Sequence, residues 1–159
     1  MANWLAEERQ ETGIDDALLQ SCVAKVVETV AASARRVLIL PPDMTRLNSG
    51  AGRITALLYH ALAGRAVVDI MPALGTHVPM TASELRRMFG DAIPLKRFHV
   101  HDWRTRLRHL GDIPGSRLAE LSGGRVDYAV RVELDALLYE DYDQILSVGQ
   151  VVPHEVVGM

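Results

Sequence analysis

An aspartate, a threonine and an arginine fall within four positions in Asp43-Met44-Thr45-Arg46. A guanidinium can capture phosphate or carboxylate through two parallel hydrogen bonds, and a hydroxyl beside helix amides adds donors. The same residues suit a helix cap with an internal Asp43–Arg46 pair, and spacing alone leaves both readings open. His77 lies in Gly75-Thr76-His77-Val78-Pro79, with a glycine before it and a proline after it fixing the backbone. An imidazole in such a loop is a natural general base, because its ordinary pKa lies near neutrality. A polar loop histidine bonded to backbone is the other reading. His154, in Val151-Val152-Pro153-His154-Glu155, resembles it. No Gly-Lys-Thr follows the first segment and no Gly-x-Gly-x-x-Gly occurs, so neither a Walker loop nor an ordinary dinucleotide fingerprint is supported.

Other chemistry-bearing residues carry less. His99 and His101 alternate on one face beside Asp102, a possible zinc set, but the pattern is a common accident. His60 and His109 read as surface residues. The single cysteine, Cys22, excludes an internal disulfide framework and a multi-cysteine zinc ribbon. It falls among apolar helix positions and reads as an inert core thiol.

The elements that must position these residues follow from periodicity. Leu18, Leu19, Cys22, Val23, Val26, Val27 and Val30 repeat at helical spacing between Asp15 and Ser33, with Asp15 or Asp16 as the cap. Arg36 to Pro41 is a continuous apolar run, the pattern of a buried parallel strand. The Asp43 loop follows, then a helix over Ile54 to Leu62 closed by Gly64. Ala66 to Met71 predicts a second strand, and Thr81-Ala82-Ser83-Glu84 a capping box opening a helix that stops at Gly90. Phe98 to His101 predicts a third strand, Arg104 to Arg125 an irregular stretch, and Tyr128 to Val132 and Gln144 to Val148 two more strands. Alternating strands and helices predict an α/β fold: a Rossmann-like open sheet, mostly parallel, with helices on both faces, forming a single α/β domain over residues 1–159. In such sheets ligands bind outside the carboxyl ends of the strands. The loops holding Asp43, His77 and His154 all occupy that position.

The 159 residues are 48% hydrophobic and 23% charged, the balance of a folded chain rather than a disordered one. A net charge of −3 gives no global reason to bind nucleic acid or an anionic membrane, although residues 35–125 are net basic between acidic flanks. No apolar run is long enough to span a membrane, and the opening residues lack a signal pattern, so a cytoplasmic setting is expected.

Three segments in this order, Leu40-Pro41-Pro42-Asp43-Met44-Thr45-Arg46, Leu74-Gly75-Thr76-His77-Val78-Pro79 and Val148 to Gly158, resemble the lactate racemase family, whose members use a nickel-pincer nucleotide. The resemblance covers most of the chain but only the amino-terminal part of a family member. It implies one piece of a larger two-domain enzyme, a racemase or epimerase of 2-hydroxy acids or sugar acids. The piece alone would be inactive, and the carboxy-terminal remainder would be its partner. It implies that His77 and His154 are the two acid/base residues, one for each enantiomer, and that Asp43, Thr45 and Arg46 contact cofactor and substrate. The lysine that binds the cofactor and the histidine that ligates nickel have no match here; neither Lys25 nor Lys96 lies in a matching motif. Residues Met44 and Leu47 depart from the family's usual loop. A non-catalytic α/β module binding a nucleotide or organic anion is the alternative.

Overall fold

The computed structural model describes residues 5–9, 11–29, 32–140 and 142–153. They form two compact units: one comprises the described residues up to 100 and from 142 onward, the other 101–140.

The first unit is built on a parallel sheet of three strands: β1 (Arg36–Leu40), β2 (Val67–Ile70) and β5 (Gln144–Ser147), in the order β2-β1-β5. Strand β1 is central because it is apolar on both faces; Val37, Leu38 and Ile39 are all fully buried. Full burial of each such side chain stabilises the fold by about 1.5–3 kcal/mol. The register runs from Arg36↔Val67 to Ile39↔Ile70 on one side, and from Val37↔Gln144 to Leu40↔Ser147 on the other. Asp143 fixes the entry of β5, its carboxylate accepting from the Arg35 and Arg36 amides at 2.7 Å each.

Three helices cover the sheet: α1 (Asp16–Thr29), α2 (Ala51–Leu62) and α3 (Ala82–Phe89). Asp15 caps α1 by accepting from the Leu18 amide at 2.8 Å. Val23 and Val27 of α1, Leu58 and Leu62 of α2, and Met88 and Phe89 of α3 share one core with Val37, Ile39, Val68, Ile70 and Leu146. Alternation along the strands puts the sheet's contribution on one face. The opposite face carries Asp69, 6% exposed, which receives Arg97 at 3.3 Å and the Tyr142 hydroxyl at 3.1 Å. Helices α2 and α3 approach closely at Gly52, where a Cβ would lie 2.2 Å from the Met88 carbonyl oxygen.

The second unit is an antiparallel pair, β3 (Leu107–Ile113) with β4 (Val130–Asp135), connected through α4 (Gly115–Ser122). Within it, Asp135 accepts from Arg106 Nε and Nη2 at 2.8 and 2.9 Å and from the Asp102 and Leu137 amides at 2.9 Å each. Burial alone would raise this carboxyl; the Arg106 and backbone hydrogen bonds outweigh it and hold the pKa below the ordinary value.

The parallel α/β sheet is as the sequence predicts, and three sequence expectations are corrected. Phe98 to His101 is not a strand; only Phe98 bridges β2, at Ile70, because a short 3₁₀ turn at Leu95–Arg97 leads into it. The stretch from Arg104 to Arg125 is not irregular but contains β3 and α4. The strand anticipated at Tyr128 to Val132 begins at Val130 and pairs antiparallel with β3, outside the parallel sheet.

Candidate functional site

The parallel ladder does not stop where β1 and β2 end. The Met71 amide bonds the Ile39 carbonyl and the Ala73 amide bonds the Pro41 carbonyl, so Pro42 and Ala73 still lie side by side. Two chains leave the sheet together at its carboxyl edge. One becomes the Asp43 loop and the other the His77 loop.

Asp43 is 5% exposed and caps a 3₁₀ turn, Met44–Ser49. Its Oδ1 accepts from the Thr45 amide at 3.0 Å and from Thr45 Oγ1 at 2.5 Å. Its Oδ2 faces His77 Nδ1 at 2.6 Å. Burial pushes the Asp43 carboxyl up, but the hydrogen bonds from Thr45 and His77 together prevail, and its pKa lies below 3.8. An ionised carboxylate only accepts hydrogen bonds, so His77 Nδ1 carries the proton of this bond. In the neutral ring Nε2 is then a free lone pair. The His77 side chain is 55% exposed, so that nitrogen can reach a ligand.

The His77 loop is held at both ends. A turn closes with the His77 amide on the Leu74 carbonyl at 2.9 Å, and Gly75 supplies the positive φ of 57° that the turn requires. Beyond Pro79 the capping box forms as the sequence predicts: Thr81 accepts from the Glu84 amide, and the Glu84 carboxylate accepts from the Thr81 amide at 2.7 Å. The Thr81 amide and the Thr81 hydroxyl, which donates at 2.8 Å, together hold the Glu84 carboxyl below its ordinary value. Under this loop a small cavity of about 70 Å³ is lined by Pro72, Leu74, Pro79, Met80 and Phe98, among others.

Arg46 sits in the same 3₁₀ turn with a non-helical φ of −108°. It is exposed; its amide donates to the Asp43 carbonyl at 3.0 Å, and its guanidinium makes no hydrogen bond or ion pair among the described residues. The internal Asp43–Arg46 pair that the spacing allowed is therefore not the arrangement found; Asp43 spends both oxygens on Thr45 and His77. A helix cap and a partner for an imidazole coexist in one residue. The Thr45 hydroxyl, anticipated as a ligand contact, donates to Asp43.

Ser147 pairs with Leu40, so β5 also ends at this edge. His154 lies outside the described residues. His99 faces Asp69 at 3.7 Å rather than a metal set, and no group of three His, Cys, Asp or Glu residues could hold a metal ion among the described residues. No described helix is long and apolar enough to cross a membrane.

Sequence reasoning put Asp43, Arg46 and His77 at one edge of the sheet but missed the direct Asp43–His77 hydrogen bond. The available signal was their matched position, each a few residues past the end of adjacent parallel strands. It also missed the Asp69–Arg97–Tyr142 cluster, for which an aspartate inside an otherwise apolar strand is the signal.

A crystal structure of a protein from Thermotoga maritima, determined as a structural genomics target, is similar to this chain with a TM-score of 0.79 and 26% identity. The match covers 89% of this chain and 35% of that one, so the chain spans about a third of its length. No curated protein matches the chain. A match to the lactate racemase N-terminal domain runs through residues 1–159, the whole sequence, and with the paired loops at the sheet edge it shows that the chain belongs to that family.

Proposed function

We propose that the chain is the amino-terminal part of a cytoplasmic, two-domain racemase or epimerase of small 2-hydroxy acids, with a nickel-pincer nucleotide as cofactor. The observation that carries this reading is the Asp43–His77 pair, 2.6 Å apart, beside an arginine whose guanidinium has no protein partner among the described residues. A binding module needs only the cation. A carboxylate that fixes the tautomer of an exposed imidazole adds proton transfer.

In this reading His77 Nε2 takes the hydroxyl proton of one enantiomer. Asp43 keeps the ring oriented and stabilises the imidazolium that forms. Arg46 binds the carboxylate of the substrate or a phosphate of the cofactor. His154 acts on the other enantiomer from the opposite side. When bound, the cofactor supplies the acceptor for the hydride on the substrate carbon. The residues present fit its anionic part: a free guanidinium beside a 3₁₀ turn. They supply neither the family's lysine nor its nickel ligand, which fall to the rest of the enzyme.

The test is twofold. Arg46→Ala should weaken phosphate or nucleotide binding to the chain by about 1.5–3 kcal/mol, the scale of a hydrogen bond to a charged group, in a calorimetric titration. His77→Asn in the complete, cofactor-loaded enzyme should abolish racemisation starting from either enantiomer. Unchanged racemisation would leave an anion-binding module as the better reading.

A further inference from the structure

Strand β5 bonds β1 on one side and has no strand partner on the other among the described residues. That open edge is one wall of a groove of about 440 Å³, running along residues 144–149 with α1 and α2 above it. Its lining is mostly apolar, with Gln144 and Ser147 on the strand. Leu19, Cys22 and Val26, spaced i, i+3 and i+7 on α1, are only half-buried, while Val23 and Val27 of the same helix reach the core. Ile54 of α2 joins them, and Leu146 on the strand faces the same side. The apolar stripe of α1 is thus wider than the sheet beneath it.

We infer that this groove receives a fourth strand, parallel or antiparallel to β5, with apolar side chains at every second position, supplied by the part of the enzyme outside this chain. The outer side of β5 is paired by no other described strand, although the Ile145 carbonyl accepts from Gln144 Nε2 at 3.0 Å, and an extended chain satisfies such an edge. Alternate side chains of that strand then fall beneath Leu19, Cys22 and Val26 and complete the core. A four-residue edge spans about 13 Å. By itself it buries far less than the roughly 1,200–2,000 Å² of a stable free interface, so the occupant is a tethered or co-folded segment rather than a second copy. The Thermotoga maritima structure is consistent with this: the chain accounts for 35% of it, leaving ample polypeptide to supply a strand. The inference rests on the reading of the chain as one part of a larger enzyme, and not on the racemase chemistry.

Cys22, the single cysteine of the chain, lines the groove and reports on its occupancy. Its alkylation by iodoacetamide, read on the Cys22 peptide by mass spectrometry, is compared in the 159-residue chain and in the complete enzyme. The chain alone should react readily at every concentration, and the complete enzyme about tenfold more slowly or less. Leu19→Asp should restore fast alkylation in the complete enzyme, with circular dichroism confirming the fold. Equal rates in the two proteins overturn the inference. Slowing with rising concentration of the chain alone, together with a dimer in sedimentation, overturns it in favour of a second copy. Racemase activity is measured on the same samples: protection without activity fails the catalytic reading only, and activity without protection fails this one only.

Discussion

Asp43 and Asp135 are buried to the same degree, at 5% and 2% exposure, and both carboxyls are held below their ordinary pKa by hydrogen bonds that outweigh burial. Their partners differ in kind. Asp135 is closed by two backbone amides and both nitrogens of a guanidinium that never loses its charge. Asp43 is closed on one oxygen by Thr45 and on the other by an imidazole that is half in solvent. A carboxylate whose partners are all fixed can only hold structure together. One whose partner changes protonation can pass that change to a ligand. Burial and pKa direction do not separate the two cases; the chemistry of the partner does.

Substituting each aspartate by asparagine tests this contrast. Asp43→Asn removes the charge that selects the His77 tautomer, so turnover by the complete enzyme should fall about 10²–10⁴-fold, the range for such an orienting carboxylate. Stability should change by only about 1 kcal/mol, because the Thr45 bonds can persist. A pre-steady-state assay beside urea unfolding reads both, and preserved turnover would put Asp43 in the same class as Asp135. Asp135→Asn should do the reverse. Arg106 keeps a partner but loses the opposite charge, and unfolding should cost about 2–3 kcal/mol less, with turnover per folded molecule unchanged.

Each unit also has a glycine where another backbone comes close. A Cβ at Gly52 would meet the Met88 carbonyl oxygen at 2.2 Å, and one at Gly115 the Asp127 carbonyl oxygen at 2.0 Å. Either alanine should destabilise by about 1–3 kcal/mol. Gly52→Ala shifts α2, which follows the Asp43 loop, and should also weaken anion binding; Gly115→Ala should not. Thermal unfolding and a phosphate titration on the two variants make the comparison.

The smallest effect is on pH. Both carboxyls lie below 3.8 in the fold, so the unfolded chain takes up their protons first. Their contribution is complete above about pH 5 and disappears as pH falls through the folded values. Stability measured between pH 5 and 3 should fall less steeply in either asparagine variant than in the unsubstituted chain. Equal slopes would mean that neither bond set lowers the native pKa.

How much was legible in the sequence divides along the same line. The first unit reads well because β1 and β2 are unbroken apolar runs, closed by Pro41-Pro42 and by Pro72, and parallel pairing then dictates which loops become neighbours. What could not be read was which partner Asp43 takes, since Arg46, three residues away, is as plausible by spacing as His77, 34 residues away. The second unit reads badly for a different reason. β3 contains Arg108, His109, Gly111 and Asp112, and the register slips between His109 and Gly111. An extra residue in one strand cancels the period-two alternation that identifies strands. Phe98 to His101 shows the converse, a β-like run whose backbone makes only one bridge.

The continuation of the ladder through Pro42 and Ala73 has a consequence for affinity. Both loops leave the sheet tied to each other, by the Pro42–Ala73 bridge and by the Asp43–His77 hydrogen bond. Fixing a flexible backbone takes roughly 1–2 kcal/mol per residue, which a ligand here does not have to supply. What remains to be ordered is chiefly the Arg46 side chain, about 1.5–2 kcal/mol of rotamer freedom. Affinity for anions should therefore track how tightly each ligand immobilises that one guanidinium, and rigid, planar carboxylates should show the smallest entropy loss on binding.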